Sequence, residues 1–90
     1  MDEVFITVMV CPSIDPMPRV GSFEREGQAR SAFSIAAAAV AEAHNDKAQW
    51  DSKQSEFMAE APTEKERGHV WGYACGCAVV LHRCTVVKAQ

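Results

Sequence analysis

The chain has 90 residues, of which 48% are hydrophobic and 23% are charged, and this composition is typical of one folded domain and argues against a disordered chain. Its formal net charge of -3 comes with only nine Lys and Arg residues, which argues against a basic surface that binds nucleic acid directly. We therefore expect a single compact domain over residues 1–90 that makes no direct contact with nucleic acid.

The N-terminal segment MDEVFITVMVCP begins with two acidic residues after Met1 and lacks the basic start of a secretory signal. The longest apolar run, residues 70–81, has 12 residues, whereas a membrane-spanning helix needs about 20. We expect a cytoplasmic protein with no membrane contact. In that compartment its four cysteines would be reduced thiols or metal ligands and not disulfides.

The first predicted element is a strand. Residues 3–10 are mostly β-branched or aromatic and are followed closely by Pro12, a pattern typical of a strand buried on both faces. Residues 11–22 hold three prolines and a glycine, which disfavour both helix and ladder-forming strand. The sequence therefore predicts a strand over 3–10 and a loop over 11–22.

Two helical segments follow. Residues 28–44 are rich in alanine, the best intrinsic helix former, and contain no glycine or proline. Their predicted buried stripe consists of Ala29, Phe33, Ala36, Val40 and Ala43. Asn45 and Asp46 indicate a break, because both residue types favour helix caps. A second helical segment is predicted over 47–60, and residues 62–68 are predicted to form a turn or a short capped helical turn.

The C-terminal run fits two periodicities. Its β-branched and aromatic residues, together with Gly72 and Gly76, favour strands. A stripe at helical spacing is also present, made of Tyr73, Cys77, Val80, Cys84 and Val87. We favour a hairpin with strands over 69–74 and 78–87 and a turn around the segment ACGCA.

These elements together predict an α+β fold: a small three-stranded antiparallel sheet with both helical segments packed on one face. A sheet of this size has an exposed edge strand, which native proteins cover, charge or use for binding. We therefore expect that a homo-oligomer would form through such an edge.

Cysteine and histidine are concentrated near the C-terminus. Cys75, Cys77, His82 and Cys84 offer four sulfur and nitrogen donors, the donor set of structural zinc sites. Their spacing differs from zinc knuckles, in which two to four residues separate paired cysteines. The alternatives are that the cysteines are small buried hydrophobes, or that one of them is the nucleophile of a small thiol enzyme. We predict no cofactor and keep the zinc site as an alternative.

The first strand of the predicted hairpin carries an aromatic face. His69, Trp71 and Tyr73 alternate with smaller residues and would share one side of the strand. If this side is exposed, it is a docking surface, because Trp and Tyr are enriched at the centres of protein interfaces. If it is covered, the three side chains are core residues that pack on Phe33 or Phe57.

Because no catalytic motif is present, we predict a small non-catalytic protein-binding module. Many accessory proteins of phages and mobile elements, including anti-CRISPR inhibitors of a host complex, share its short, acidic, alanine-rich profile without catalytic motifs. The expected partner is a protein, with a basic nucleic-acid-binding surface that would attract Glu42, Asp46 and Glu56. The aromatic residues His69, Trp71 and Tyr73 would complete the binding surface.

Overall fold

The structure is a computed structural model that describes residues 2–59 and 68–86. In chain order the described elements are β1 (Asp2–Cys11), β2 (Asp15–Phe23), α1 (Glu26–Ala43), α2 (Lys47–Ala59), β3 (Gly68–Gly72) and β4 (Ala78–Val86). All pairings are antiparallel, and the described strands form a four-stranded sheet in the order β2-β1-β4-β3. The predicted mixed α+β class is confirmed. No helix in the described part of the chain is long and apolar enough to cross a membrane.

The prediction of three strands is wrong, because the segment expected to be a loop contains β2. Its prolines are accommodated by position: β2 is an edge strand, so one side of its backbone has no ladder partner to lose. Pro16 and Pro18 also fall between the paired residues Asp15 and Arg19, where the register with β1 shifts. An irregular stretch of an edge strand is the one place in a sheet where two prolines interrupt little pairing.

The hairpin interpretation of the C-terminal run is correct. β3 and β4 pair antiparallel around a short turn, so the alternative helix over this run is excluded. The first strand is shorter than the predicted 69–74, because it ends at Gly72. The predicted turn over residues 62–68 lies almost wholly outside the described residues, as do the last residues of the predicted segments 47–60 and 78–87.

The alanine-rich helix packs across the sheet. Its buried residues are Ala29, Phe33, Ala37, Val40 and Ala41, which share one face at helical spacing. Three residues of the predicted stripe, Ala29, Phe33 and Val40, are buried. The other two are not fully buried, since Ala37 takes the place of Ala36 and Ala43 is exposed. Opposite this helix, the odd-numbered residues of β1 and β4 complete the core, among them Phe5, Val79 and Leu81.

The second helix closes the core on the side of β3. Trp50 of α2 is fully buried and meets Trp71 of β3 edge to face, with ring centroids 5.0 Å apart. It also packs against Phe33 of α1, at a centroid distance of 6.0 Å. Such edge-to-face contacts are a favoured geometry for aromatic pairs. One aromatic side chain from each of three elements therefore joins both helices to the sheet.

Candidate metal centre

Three chain connections meet at one end of the sheet. Cys11 ends β1 and begins the turn into β2, in which the Ile14 N–H donates to the Cys11 carbonyl over 2.9 Å. His44 follows the last residue of α1. The turn between β3 and β4 contributes Cys75 and Cys77. These positions are far apart in the sequence, and the fold brings them together.

The end of α1 is built to hold His44. The Asn45 N–H donates to Glu42 O over 3.1 Å, and the Asp46 N–H donates to Ala41 O over 2.8 Å. This is the paired bonding of a Schellman motif, in which the residue after the cap adopts a left-handed conformation. Asn45 does so, with φ of 55°, and asparagine is among the few residue types that tolerate it. The predicted break at this point is therefore confirmed.

The CGC segment lies in the β3–β4 turn. The Tyr73 N–H donates to Cys77 O over 2.8 Å and the Gly76 N–H donates to Tyr73 O over 3.0 Å. Gly76 has φ of 96°, a conformation that side chains with a Cβ rarely adopt. This reversal leaves Cys75 exposed at the tip while Cys77 is buried beneath it.

The donor atoms of this region form a compact cluster. The Cys11 and Cys77 sulfurs and a ring nitrogen of His44 all lie within 4.8 Å of one another. A fourth donor, Cys75 Sγ, lies 3.0 Å from His44 Nε2. We call these four side chains the thiol–histidine cluster. In a tetrahedral site with zinc–sulfur bonds of 2.3 Å, neighbouring sulfurs are about 3.8 Å apart, so a shift of about 1 Å would bring the three deeper donors into range.

Hydrogen bonding fixes the tautomer of His44. Its Nδ1 lies 2.8 Å from the carbonyl oxygen of Val40. Because a carbonyl can only accept, Nδ1 carries the proton of the neutral ring and Nε2 then presents its lone pair to the thiols; in the protonated ring Nε2–H donates to the Cys75 thiolate. Metal-binding histidines are commonly oriented in this way, by donation from the second ring nitrogen to a backbone carbonyl. The ring also stacks on Tyr73, with centroids 4.1 Å apart and planes 6° from parallel.

The two cysteines of the turn differ in acidity. Donation from the Cys77 N–H, together with the hydrogen bond to His44, lowers the pKa of Cys75 to about 7. The contact with Cys11, together with burial, raises the pKa of Cys77 to about 12. The Cys75 contact also raises the pKa of His44. Of these two thiols, Cys75 therefore ionises more readily than Cys77.

A short hydrogen-bonded chain supports the cluster from the side of the sheet. The Trp71 indole N–H donates to the Tyr73 hydroxyl over 3.1 Å, and that hydroxyl donates to Asp46 Oδ2 over 2.9 Å. Desolvation and the hydrogen bond to Asp46 raise the pKa of Tyr73, so the phenol remains a donor at neutral pH. The chain ties β3 to the α1–α2 junction immediately beside His44.

The predicted metal ligands are only partly brought together. Cys75 and Cys77 belong to the thiol–histidine cluster. His82 and Cys84 do not, because even-numbered residues of β4 point to the sheet face away from the helices. Sequence reasoning missed Cys11 and His44. The available signal was that each stands at the end of a predicted element, the position from which side chains of different elements can converge.

The predicted protein-binding residues fall into two groups. Glu42 and Glu56 are exposed on the helices, while Asp46 is half-buried and accepts from Tyr73. Trp71 is buried against Trp50, and His69 and Tyr73 are half-buried. His69 lies 6.1 Å from Phe33, measured between ring centroids, whereas the Phe57 side chain is outside the described part of the structure. The aromatic side of β3 thus faces the helices, which agrees with the alternative that these side chains pack in the core.

Comparison of the chain with protein-family models, with curated proteins and with solved structures finds no match.

Proposed function

We propose that the chain is a zinc-binding mini-domain in which Cys11, His44, Cys75 and Cys77 hold one structural zinc ion. The sequence also suggested a zinc site as an alternative, but with His82 and Cys84 in place of Cys11 and His44. The convergence of three thiols and one oriented imidazole from three chain connections carries the proposal. Cys3His is an established donor set of structural zinc sites, and four protein ligands leave no open position for a substrate.

The donor chemistry favours zinc over the hard cations. Thiolate and imidazole suit zinc, whereas calcium and magnesium require oxygen ligands. A cross-link stabilises a fold more when it closes a longer loop of chain. The cluster joins three connections, and about 30 residues of chain separate each connection from the next. We infer that the ion fastens the β1–β2 turn, the α1–α2 junction and the β3–β4 turn to one another, and that binding is coupled to stability.

Metal analysis of the full chain, purified without chelator, tests this proposal. We expect one zinc ion per chain. Cys75→Ser should abolish stoichiometric binding and is the variant least able to disturb folding, because Cys75 is exposed in a turn. His44→Ala should also lose the metal, because it removes the only nitrogen donor of the cluster.

Matched controls are present in the same chain. Cys84→Ala and His82→Ala should retain a full equivalent of zinc, since both residues lie on the other sheet face. Absence of zinc from the wild-type protein, even after refolding with excess zinc, would contradict the proposal. Loss of zinc in the His82 and Cys84 variants, with binding kept in the Cys75 variant, would contradict the ligand assignment.

A second candidate is the non-catalytic protein-binding module predicted from the sequence. The exposed carboxylates Glu42 and Glu56 favour it, as does the excess of acidic residues. In the cell of origin, capture of a basic protein complex should be lost on the double reversal Glu42→Lys with Glu56→Lys. It should persist with Glu24→Lys, an exposed control. Equal capture by all three proteins would remove the acidic surface from consideration. Asp46 is left unchanged because it supports the fold through Tyr73.

A further inference from the structure

The sheet face away from the helices is apolar. Among the described residues, even-numbered positions of β1 and β4 point to this side, together with their partners on β2 and β3. We call this surface the open face; its apolar residues are Val4, Ile6, Val8, Val10, Val20, Val70, Ala78 and Val80. Its polar members are Ser22, His82 and Cys84. An antiparallel sheet with one solvated face normally alternates apolar inward with polar outward.

A continuous row of valines crosses this face. Val20 pairs with Val8, Val8 pairs with Val80, and Val80 pairs with Val70, so one valine from each strand stands in the same register. The two outer members are open to solvent, with 69% of Val20 and 61% of Val70 exposed. Contiguous apolar surface of this kind marks an interaction site more often than it marks free surface.

The sequence pattern agrees with a face that is covered. The apolar run of β1 has the composition of a strand buried on both sides. The helices cover one of them, because the buried residues of α1 pack against the odd-numbered side chains of β1 and β4. Within the described part of the chain, nothing packs on the other side.

We propose that the open face is the interface of a symmetric homodimer, in which two copies of this chain pack sheet against sheet. The part of the open face between Val4 and Val10 of β1 and between Ala78 and Cys84 of β4, with its partners on β2 and β3, carries no Asp, Glu, Lys or Arg. Two copies can therefore meet over this part of the face without opposing like charges, although the chain carries a net charge of -3. A two-fold axis brings one patch against itself, so an uncharged apolar patch needs no complementary partner.

The area is sufficient for a specific pair. Four strands at about 4.8 Å spacing and roughly 25 Å of strand length give about 500 Å² per copy before corrugation is counted. A pair then buries roughly 1,000 Å², the lower limit of a specific interface. Face packing also suits this sheet better than edge pairing. β2 carries Pro16 and Pro18, and the other edge strand, β3, has only five residues.

Sedimentation equilibrium of the full chain under reducing conditions, from about 1 μM to about 1 mM, tests the proposal. The wild-type protein should reach twice the chain mass of 9.8 kDa within this range. The double variant Val20→Lys with Val70→Lys should remain at the chain mass throughout. Both side chains are largely exposed in one copy, so this variant should keep the wild-type circular dichroism spectrum and melting temperature at low concentration.

Ile35→Lys is the matched control, since Ile35 is an apolar residue of α1 with 74% exposure and lies off the open face. It should dimerise as the wild type does. A wild-type protein that stays at the chain mass up to the highest concentration would overturn the proposal. A dimer that survives the double lysine variant would overturn it as well and would assign association to another surface. The proposed zinc ligands do not lie on the open face, whose only cysteine and histidine among the described residues are Cys84 and His82. The outcome of this experiment is therefore independent of the proposed zinc site.

Discussion

His44 connects the backbone of α1 to the thiols because its two ring nitrogens have different partners. Nδ1 donates to the Val40 carbonyl one turn earlier, and Nε2 lies beside Cys75 Sγ. The ring is held further by its stacking on Tyr73. A histidine restrained at three points needs little rearrangement when a metal ion replaces the thiol proton. Donation from the Cys77 N–H and the contact with His44 give Cys75 a lower pKa than Cys77.

The first prediction concerns the reactivity of Cys75 in the metal-free protein. A short pulse of iodoacetamide, mapped by mass spectrometry across pH 5 to 9, should modify Cys75 first. Its rate should rise through pH 7 and then level off, because the thiolate is the nucleophile and the pKa of Cys75 is lowered to about 7. Cys77, which is buried and whose pKa is raised to about 12, should remain unmodified over the same interval.

Stoichiometric zinc should protect Cys75 from the reagent. A rate that rises only above about pH 8.5, the range of an unperturbed cysteine, would contradict the assigned environment. If instead one residue of the cluster reacts at full speed in the zinc-loaded protein, the thiol-enzyme alternative gains support.

The alanines of α1 allow this helix to pack closely on the sheet. Ala37 is fully buried and Ala39, two residues later, is exposed. Ala37→Leu should lower the free energy of unfolding by about 1 to 3 kcal/mol through overpacking. The control Ala39→Leu should stay within about 0.5 kcal/mol of the wild type. Urea denaturation measures both, and equal stability of the two variants would contradict the packing described for α1.

The junction between α1 and α2 gives a second prediction for an element. Asn45 has a positive φ, so Asn45→Gly should leave stability within about 0.5 kcal/mol, whereas Asn45→Val should cost more than about 1 kcal/mol. The valine variant should also bind zinc more weakly, because His44 is the preceding residue. Similar stability of the glycine and valine variants in thermal melts would show that this junction is not a determinant of the fold.

The elements also show how far the sequence alone predicts this structure. Both helices, β1 and the C-terminal hairpin follow from local propensity, and those of their predicted ends that fall among the described residues are within a few residues of the observed ones. β2 does not, because Pro16 and Pro18 contradict a strand locally and are acceptable only at an irregular edge. The position of a strand in its sheet is a tertiary property that no local pattern contains.

The thiol–histidine cluster depends on how the whole chain folds. Cys75 and Cys77 could be singled out by their spacing, but Cys11 and His44 become ligand candidates only when the order β2-β1-β4-β3 sets the end of β1 beside the β3–β4 turn. His82 and Cys84, which the sequence analysis grouped with Cys75 and Cys77, lie outside the cluster for a related reason. Alternation along β4 places them on the face opposite Cys77, which the spacing of residues along the chain did not reveal.

Because the proposed zinc ion joins three connections of the fold, we expect zinc to stabilise the whole molecule. At free zinc about 1,000 times above Kd, the free energy of unfolding should rise by about 4 kcal/mol, which for a domain of this length corresponds to roughly 15 to 30 °C in Tm. Calorimetry with and without chelator measures the difference. Cys84→Ala should gain as much as the wild type, and Cys75→Ser should gain little. An identical Tm with and without zinc in the wild type would contradict a structural ion.

X-ray absorption at the zinc edge of the loaded wild-type protein measures directly which atoms surround the ion. We expect four-coordinate zinc with three sulfur ligands at about 2.3 Å and one imidazole nitrogen at about 2.0 Å. In Cys84→Ala the same three-sulfur shell should be seen. A coordination shell made only of nitrogen and oxygen, or one that loses a sulfur in Cys84→Ala, would contradict the proposed zinc site.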